Sequence, residues 1–137
     1  MSAEAKSKPR MVIYACSGCS DVGELADRIA RRLTQKGYAQ MSCLAGLAGR
    51  VKHLMAVAEQ AERILVIDGC PINCASQTLE LAGVRRFEHL PLRELGMHKG
   101  NCPVSEENIA SGVEAALQKL APANERRADE ARQGVEY

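Results

Sequence analysis

Apolar positions along this chain switch between continuous runs and helical spacing, and the switches divide it into strands and helices. Met11-Val12-Ile13-Tyr14-Ala15 is a short, partly β-branched apolar run that reads as a buried strand. Val22, Leu25, Ala26, Ile29, Ala30 and Leu33 then recur on one helical face. Ser20 or Asp21 suits the start of that helix, Glu24 lies three residues after Asp21 as in a capping box, and Gly37 suits its end. The unit repeats in kind. A short strand over 39–42 runs into Cys43, a loop is expected over 45–49, and a helix over 51–60 carries Val51, Leu54, Met55 and Ala58. Ile64-Leu65-Val66-Ile67 is the clearest strand and ends at Asp68-Gly69-Cys70. Pro71 suits the first position of a helix that contains Cys74, Leu79 and Ala82 and stops at Gly83. A weaker strand is expected over 84–90, and a last helix from Ser105 places Ile109, Val113, Ala116, Leu117 and Leu120 in register.

Strands alternating with helices argue for βαβ units. The expected fold is α/β and three-layer, Rossmann-like or flavodoxin-like, with a mostly parallel sheet of about four strands. Residues 1–9 are expected to form a disordered N-terminus, 10–121 a single α/β domain and 122–137 a charged, mobile tail.

Composition narrows the function classes. Hydrophobic residues make up 46% of the 137 positions, enough for a core, but aromatics only 3%, so aliphatic side chains must build it. The formal net charge is +1, without the clustered basic excess of a nucleic-acid binder. No apolar stretch approaches the ~20 residues of a spanning helix. The polar segment from Met1 to Arg10 lacks the apolar core of a secretory signal. A cytoplasmic protein with no membrane and no nucleic-acid partner is expected.

The cysteines carry the candidate chemistry. There are six, and in a reducing compartment structural disulfides are disfavoured. Cys16, Cys43 and Cys70 each close a strand candidate, so a parallel sheet would bring them to one edge. Cys74 falls one turn into the following helix, and Cys19 at the start of the first one. Scatter along buried faces would be the mark of structural thiols. Helix N-termini favour thiolates at Cys19 and Cys74. A site of Cys16, Cys19, Cys43, Cys70 and Cys74 suits a soft ion: zinc first, with an Fe–S cluster or copper(I) as alternatives.

Cys16-Ser17-Gly18, Cys43-Leu44-Ala45-Gly46 and Ile67-Asp68-Gly69-Cys70-Pro71 with Cys74 together resemble the DGC-domain family over about residues 10 to 100. That family is named for its Asp-Gly-Cys motif. The resemblance implies zinc held by four cysteines, which fall here on Cys16, Cys43, Cys70 and Cys74. Cys19 is a fifth thiol outside that pattern.

Other readings are weaker. Gly18 to Gly23 copies the glycine spacing of a P-loop, but Glu24 and Leu25 stand where Lys and Ser/Thr are needed. No arginine follows Cys16 as a cysteine phosphatase requires. Cys16 and Cys19 have the CxxC layout of a dithiol redox or electron-transfer protein, which leaves the other cysteines unexplained. Asp68 is read as a turn former or as a partner of the metal site, His98 and Cys102 as an outlying pair, and His53 and His89 are given no role. Four thiolates around one ion close its coordination, which disfavours an enzyme and favours a structural, carrier or sensor module.

Overall fold

The computed structural model describes residues 10–16 and 18–121; the expected disordered N-terminus and mobile tail lie outside the described residues. The chain order is β1 (Met11–Ala15), α1 (Asp21–Gln35), β2 (Gln40–Met41), α2 (Leu44–Ala48), α3 (Lys52–Gln60), β3 (Arg63–Asp68), α4 (Cys74–Leu81), β4 (Glu88–Pro91), a 3-10 turn (Leu92–Leu95) and α5 (Glu106–Leu120). Among the described residues the sheet has four strands in the order β2-β1-β3-β4, and every pairing is parallel. Helices cover both faces, so the fold is the three-layer α/β architecture expected.

The periodicity of β1 and β3 explains the layers. Ile13, Ala15, Leu65 and Ile67 face one way and pack with Leu25, Ile29 and Leu33 of α1 and with Ile109 and Ala116 of α5. Val12, Tyr14, Ile64 and Val66 face the other way, toward Leu47, Ala58, Ala75 and Leu79 on the three shorter helices. A central parallel strand covered on both sides reads as a continuous apolar run, as both strands do. Burying each large aliphatic side chain stabilises the fold by about 1.5–3 kcal/mol. Gly112 lets α5 lie close to α1, because a Cβ there would run into Ile29.

The strand order positions the site. From β1 the chain passes outward to β2, then back across β1 to β3. The order therefore reverses between β1 and β3, and open α/β sheets hold ligands beyond the carboxyl ends of the strands at such a reversal.

Four local expectations change. The loop expected over 45–49 is the short helix α2, which starts because the Cys43 side chain caps it. Val51 is not on the buried face of α3; it is the residue before that helix and is exposed. Pro71 does not open α4. The helix begins at Cys74, so Cys74 is its first residue and not one turn inside it, after Asn73 in a left-handed conformation with φ 58°. The strand expected over 84–90 reduces to Glu88–Pro91, where the apolar Leu90 and Pro91 are buried and the preceding Arg85 and Arg86 are exposed. No helix among the described residues is long and apolar enough to cross a membrane.

Candidate functional site

Cys16 continues β1 past its last paired residue. Its N–H donates to the Ile67 carbonyl at 3.1 Å, and its half-buried sulfur accepts the Gly69 N–H at 3.4 Å. Burial pushes the Cys16 thiol up; the Gly69 and Gly18 amides oppose that, while the Asp68 and Cys70 charges add to it. Gly69 has to be glycine, since a Cβ would meet the Val22 carbonyl of α1. The Asp-Gly-Cys turn is thus pressed against the first turn of α1.

Cys43 follows β2 and caps α2, its sulfur accepting the Gly46 N–H at 3.2 Å. Gly46 is buried against Leu54, which occupies the space a Cβ would need. Cys74 is exposed at the start of α4. Cys16, Cys43 and Cys74 line one open cleft of about 750 Å³, with Met41, Ser42 and Arg31 among its other walls. Cys70 follows Gly69, whose N–H the Cys16 sulfur accepts, and lies near enough to Cys16 for their charges to interact. Cys19 is exposed and is not among the cleft's lining residues.

Asp68 is the best-satisfied polar group of the motif and only 1% exposed. Its Oδ1 accepts the Ala75 N–H at 2.9 Å, and its Oδ2 accepts the Ser76 N–H at 3.2 Å and lies 2.8 Å from His89 Nε2. Burial raises the Asp68 carboxyl, but the His89 contact and the two amides outweigh it and hold the group below its ordinary value. Asp68 therefore anchors the open amides of α4 to the end of β3 and fixes both ends of the segment that carries Cys70 and Cys74. His89 was invisible to sequence reasoning because its partner lies on the neighbouring parallel strand, where Val66 pairs with His89. Only the β3–β4 register points to it.

Tyr14 is fully buried on the β1 face below the shorter helices. Its hydroxyl lies near Ser42 and Cys43, and among the described residues none meets hydrogen-bonding geometry with it. Burial pushes this phenol up; Ser42 opposes and Cys43 reinforces the shift.

The remaining candidates are structural. Ser20, not Asp21, caps α1, its side chain accepting the Gly23 N–H at 3.1 Å. Asp21 instead accepts the amides of Gly100 at 2.9 Å and Cys102 at 3.1 Å, and these hold its carboxyl below the ordinary range. Cys102 is buried in the core on the α1–α5 side, apart from the exposed His98.

The donor set suits a soft ion in its chemistry: free thiols from separate segments, two of them receiving backbone N–H groups. Its positions are not those of a closed site. Among the described residues, no three His, Cys, Asp or Glu side chains stand together closely enough to hold one ion. Capture of a metal here requires the cysteine side chains to turn toward a common point.

The DGC-domain family model matches residues 12–116. The chain is also 38% identical over 122 residues to the anaerobic and virulence modulator AnvM of Pseudomonas aeruginosa, covering 88% of this chain and 93% of that protein. No solved structure matches the chain.

Proposed function

The chain belongs to the DGC-domain family, and from that premise we propose that it is a thiol-based regulatory module whose cysteines take up a zinc ion at the end of the sheet. The ligands are Cys16, Cys43, Cys70 and Cys74. The observation that supports this reading is the cleft, which thiols from three separate segments line, with Cys70 near enough to Cys16 for their charges to interact. Soft thiolate donors favour zinc among common divalent ions, and four of them close its coordination, which fits a sensor or carrier better than a hydrolase. The name of the relative, an anaerobic and virulence modulator, supports a regulatory role for this chain too.

Anaerobic purification followed by metal analysis, acid-labile sulfide assay and a visible spectrum tests it. A colourless protein with one zinc per chain, lost in Cys70→Ser, is expected. A brown product containing sulfide would replace zinc with an Fe–S cluster, and a chain that takes up neither sinks the reading.

A further inference from the structure

We propose that Cys16 and Cys70 form a reversible dithiol switch, joined as a disulfide by a hydroperoxide, whose closure removes two ligands from the zinc site. The zinc consequence rests on the function proposed above; the disulfide itself does not.

Strand register brings the two cysteines together. β1 and β3 pair in parallel from Met11 with Arg63 to Ala15 with Ile67, and the Cys16 N–H extends the ladder to the Ile67 carbonyl. The Cys16 sulfur then accepts the N–H of Gly69, the residue directly before Cys70. That register sets Cys16 opposite Asp68, where β3 ends, and the bend through Gly69, whose N–H reaches the Cys16 sulfur, leaves Cys70 near enough to Cys16 for their charges to interact. The backbone of Gly69 is packed against Val22 and Gly23, so the segment leading into Cys70 is held in place.

The other thiols are less suited to this pairing. Cys43 is engaged in capping α2, Cys102 is enclosed in the core, and Cys19 and Cys74 are exposed. Cys16 and Cys70 are both half-buried, open enough for a small oxidant. The sequence suggests Cys16 and Cys19 as the redox pair, through their CxxC spacing. The fold points across the sheet instead.

The chemistry balances with hydrogen peroxide as oxidant. The Cys70 thiolate attacks one peroxide oxygen; an S–O bond forms, the O–O bond breaks, and the departing oxygen takes a proton to leave as water. The Cys16 sulfur then attacks the Cys70 sulfenic sulfur; the S–S bond forms, the S–O bond breaks, and hydroxide leaves with the Cys16 proton as a second water. The two thiols lose two electrons and two protons, and the peroxide gains them. The Gly69 N–H stays beside the Cys16 sulfur through the second step.

The test treats the reduced full chain, zinc-free and zinc-loaded, with one equivalent of hydrogen peroxide. Disulfides are mapped by tandem mass spectrometry of non-reduced peptides, and zinc release is followed with a chromogenic chelator. A Cys16–Cys70 cross-link that dithiothreitol reverses is expected in both forms, with zinc released in step. Cys16→Ser and Cys70→Ser should abolish it, while Cys19→Ser and Cys74→Ser should not. A Cys16–Cys19 link, or a cross-link that persists in Cys70→Ser, overturns the pairing. Cross-linking that leaves zinc bound overturns the switch. A chain that binds no zinc yet still forms the cross-link refutes the zinc reading and the coupling to it, but upholds the dithiol pair. Zinc binding without a cross-link does the reverse.

Discussion

The two faces of the sheet are built differently. On one, α1 and α5 each run fifteen residues, and each starts at a serine whose side chain accepts the amide three residues on. Arg32 of α1 also holds Glu106 of α5 through two contacts of 2.9 and 3.0 Å. On the other face, α2, α3 and α4 have five, nine and eight residues. A cysteine sulfur caps α2, and neither α3 nor α4 has a side-chain cap of its own. The two buried side-chain atoms left without a partner among the described residues, Tyr14 Oη and Asn73 Oδ1, both belong to this second side. Helices this short are marginal in isolation, so they depend on their contacts with the sheet. The first face supplies rigidity. The second carries Cys43 and Cys74 on short helices held mainly by the sheet.

The largest test of that contrast is a matched pair of core truncations. Ile29 and Leu79 are both fully buried. Ile29→Ala leaves a hole between two long helices and the sheet, which cannot easily collapse, and should cost about 4–5 kcal/mol. Leu79→Ala lies under short helices that can settle inward and should cost about 2–3 kcal/mol. Urea denaturation measures both, and equal costs would erase the distinction.

Asp68 is the exception on the weaker side, a rigid polar joint within it. Asp68→Asn replaces an acceptor oxygen with an NH2 that faces backbone amides, and should cost about 1.5–3 kcal/mol. Amide hydrogen exchange at Ala75 and Ser76 should accelerate more than exchange within α1. Uniform acceleration across the protein would mean that Asp68 supports the whole fold and not α4 in particular.

How much of this was legible in the sequence follows the same division. The α1 and α5 periodicities and the serines before them are local signals, and the structure keeps both helices where they were expected. The parallel sheet followed from alternating elements, and with it the placing of Cys16, Cys43 and Cys70 after strand ends. What was hidden depends on distance in space. Whether Pro71 begins a helix is decided by the Asp68 carboxylate, which sits where it can hold the amides of Ala75 and Ser76. His89 and the Gly69–Val22 contact likewise need the register between segments. The CxxC spacing drew attention to Cys19, yet that residue is exposed outside the cleft lining, because Cys16 faces Gly69 across the strands.

Smaller effects sharpen the account of the rigid face. Ser20→Ala and Ser105→Ala each remove one cap bond and should cost about 1 kcal/mol. The two caps share no partner, so in a fold that melts as one unit the double variant should cost the sum; a clear departure in urea denaturation would show that the helix starts are coupled or that the face melts separately. The Arg32 contact holds the Glu106 carboxyl below its ordinary value. A depressed carboxyl contributes stability above its unfolded pKa of about 4.3 and loses it as pH falls through the folded value. Arg32→Gln should flatten that acid-side slope in thermal melts between neutral and acid pH, and an unchanged slope would remove the pair from the account.

The smallest expected effect is the most telling for the second face. Tyr14→Phe removes only a hydroxyl that is buried and has no hydrogen-bond partner among the described residues. Leaving such a group unsatisfied costs about 1–3 kcal/mol, so its removal should leave stability unchanged or raise it. A large loss in urea denaturation would mean that the hydroxyl is paired in solution, with the adjacent Ser42 as the nearest candidate. With stability preserved, the hydroxyl's worth can be read separately, from the rate at which iodoacetamide alkylates Cys43. If the phenol donates to the Cys43 sulfur once that side chain leaves its cap and turns, Tyr14→Phe changes the pH dependence of alkylation. If the hydroxyl is only a cost of the fold, the profile stays the same, and the spare polarity of the second face is not part of how it holds its thiols.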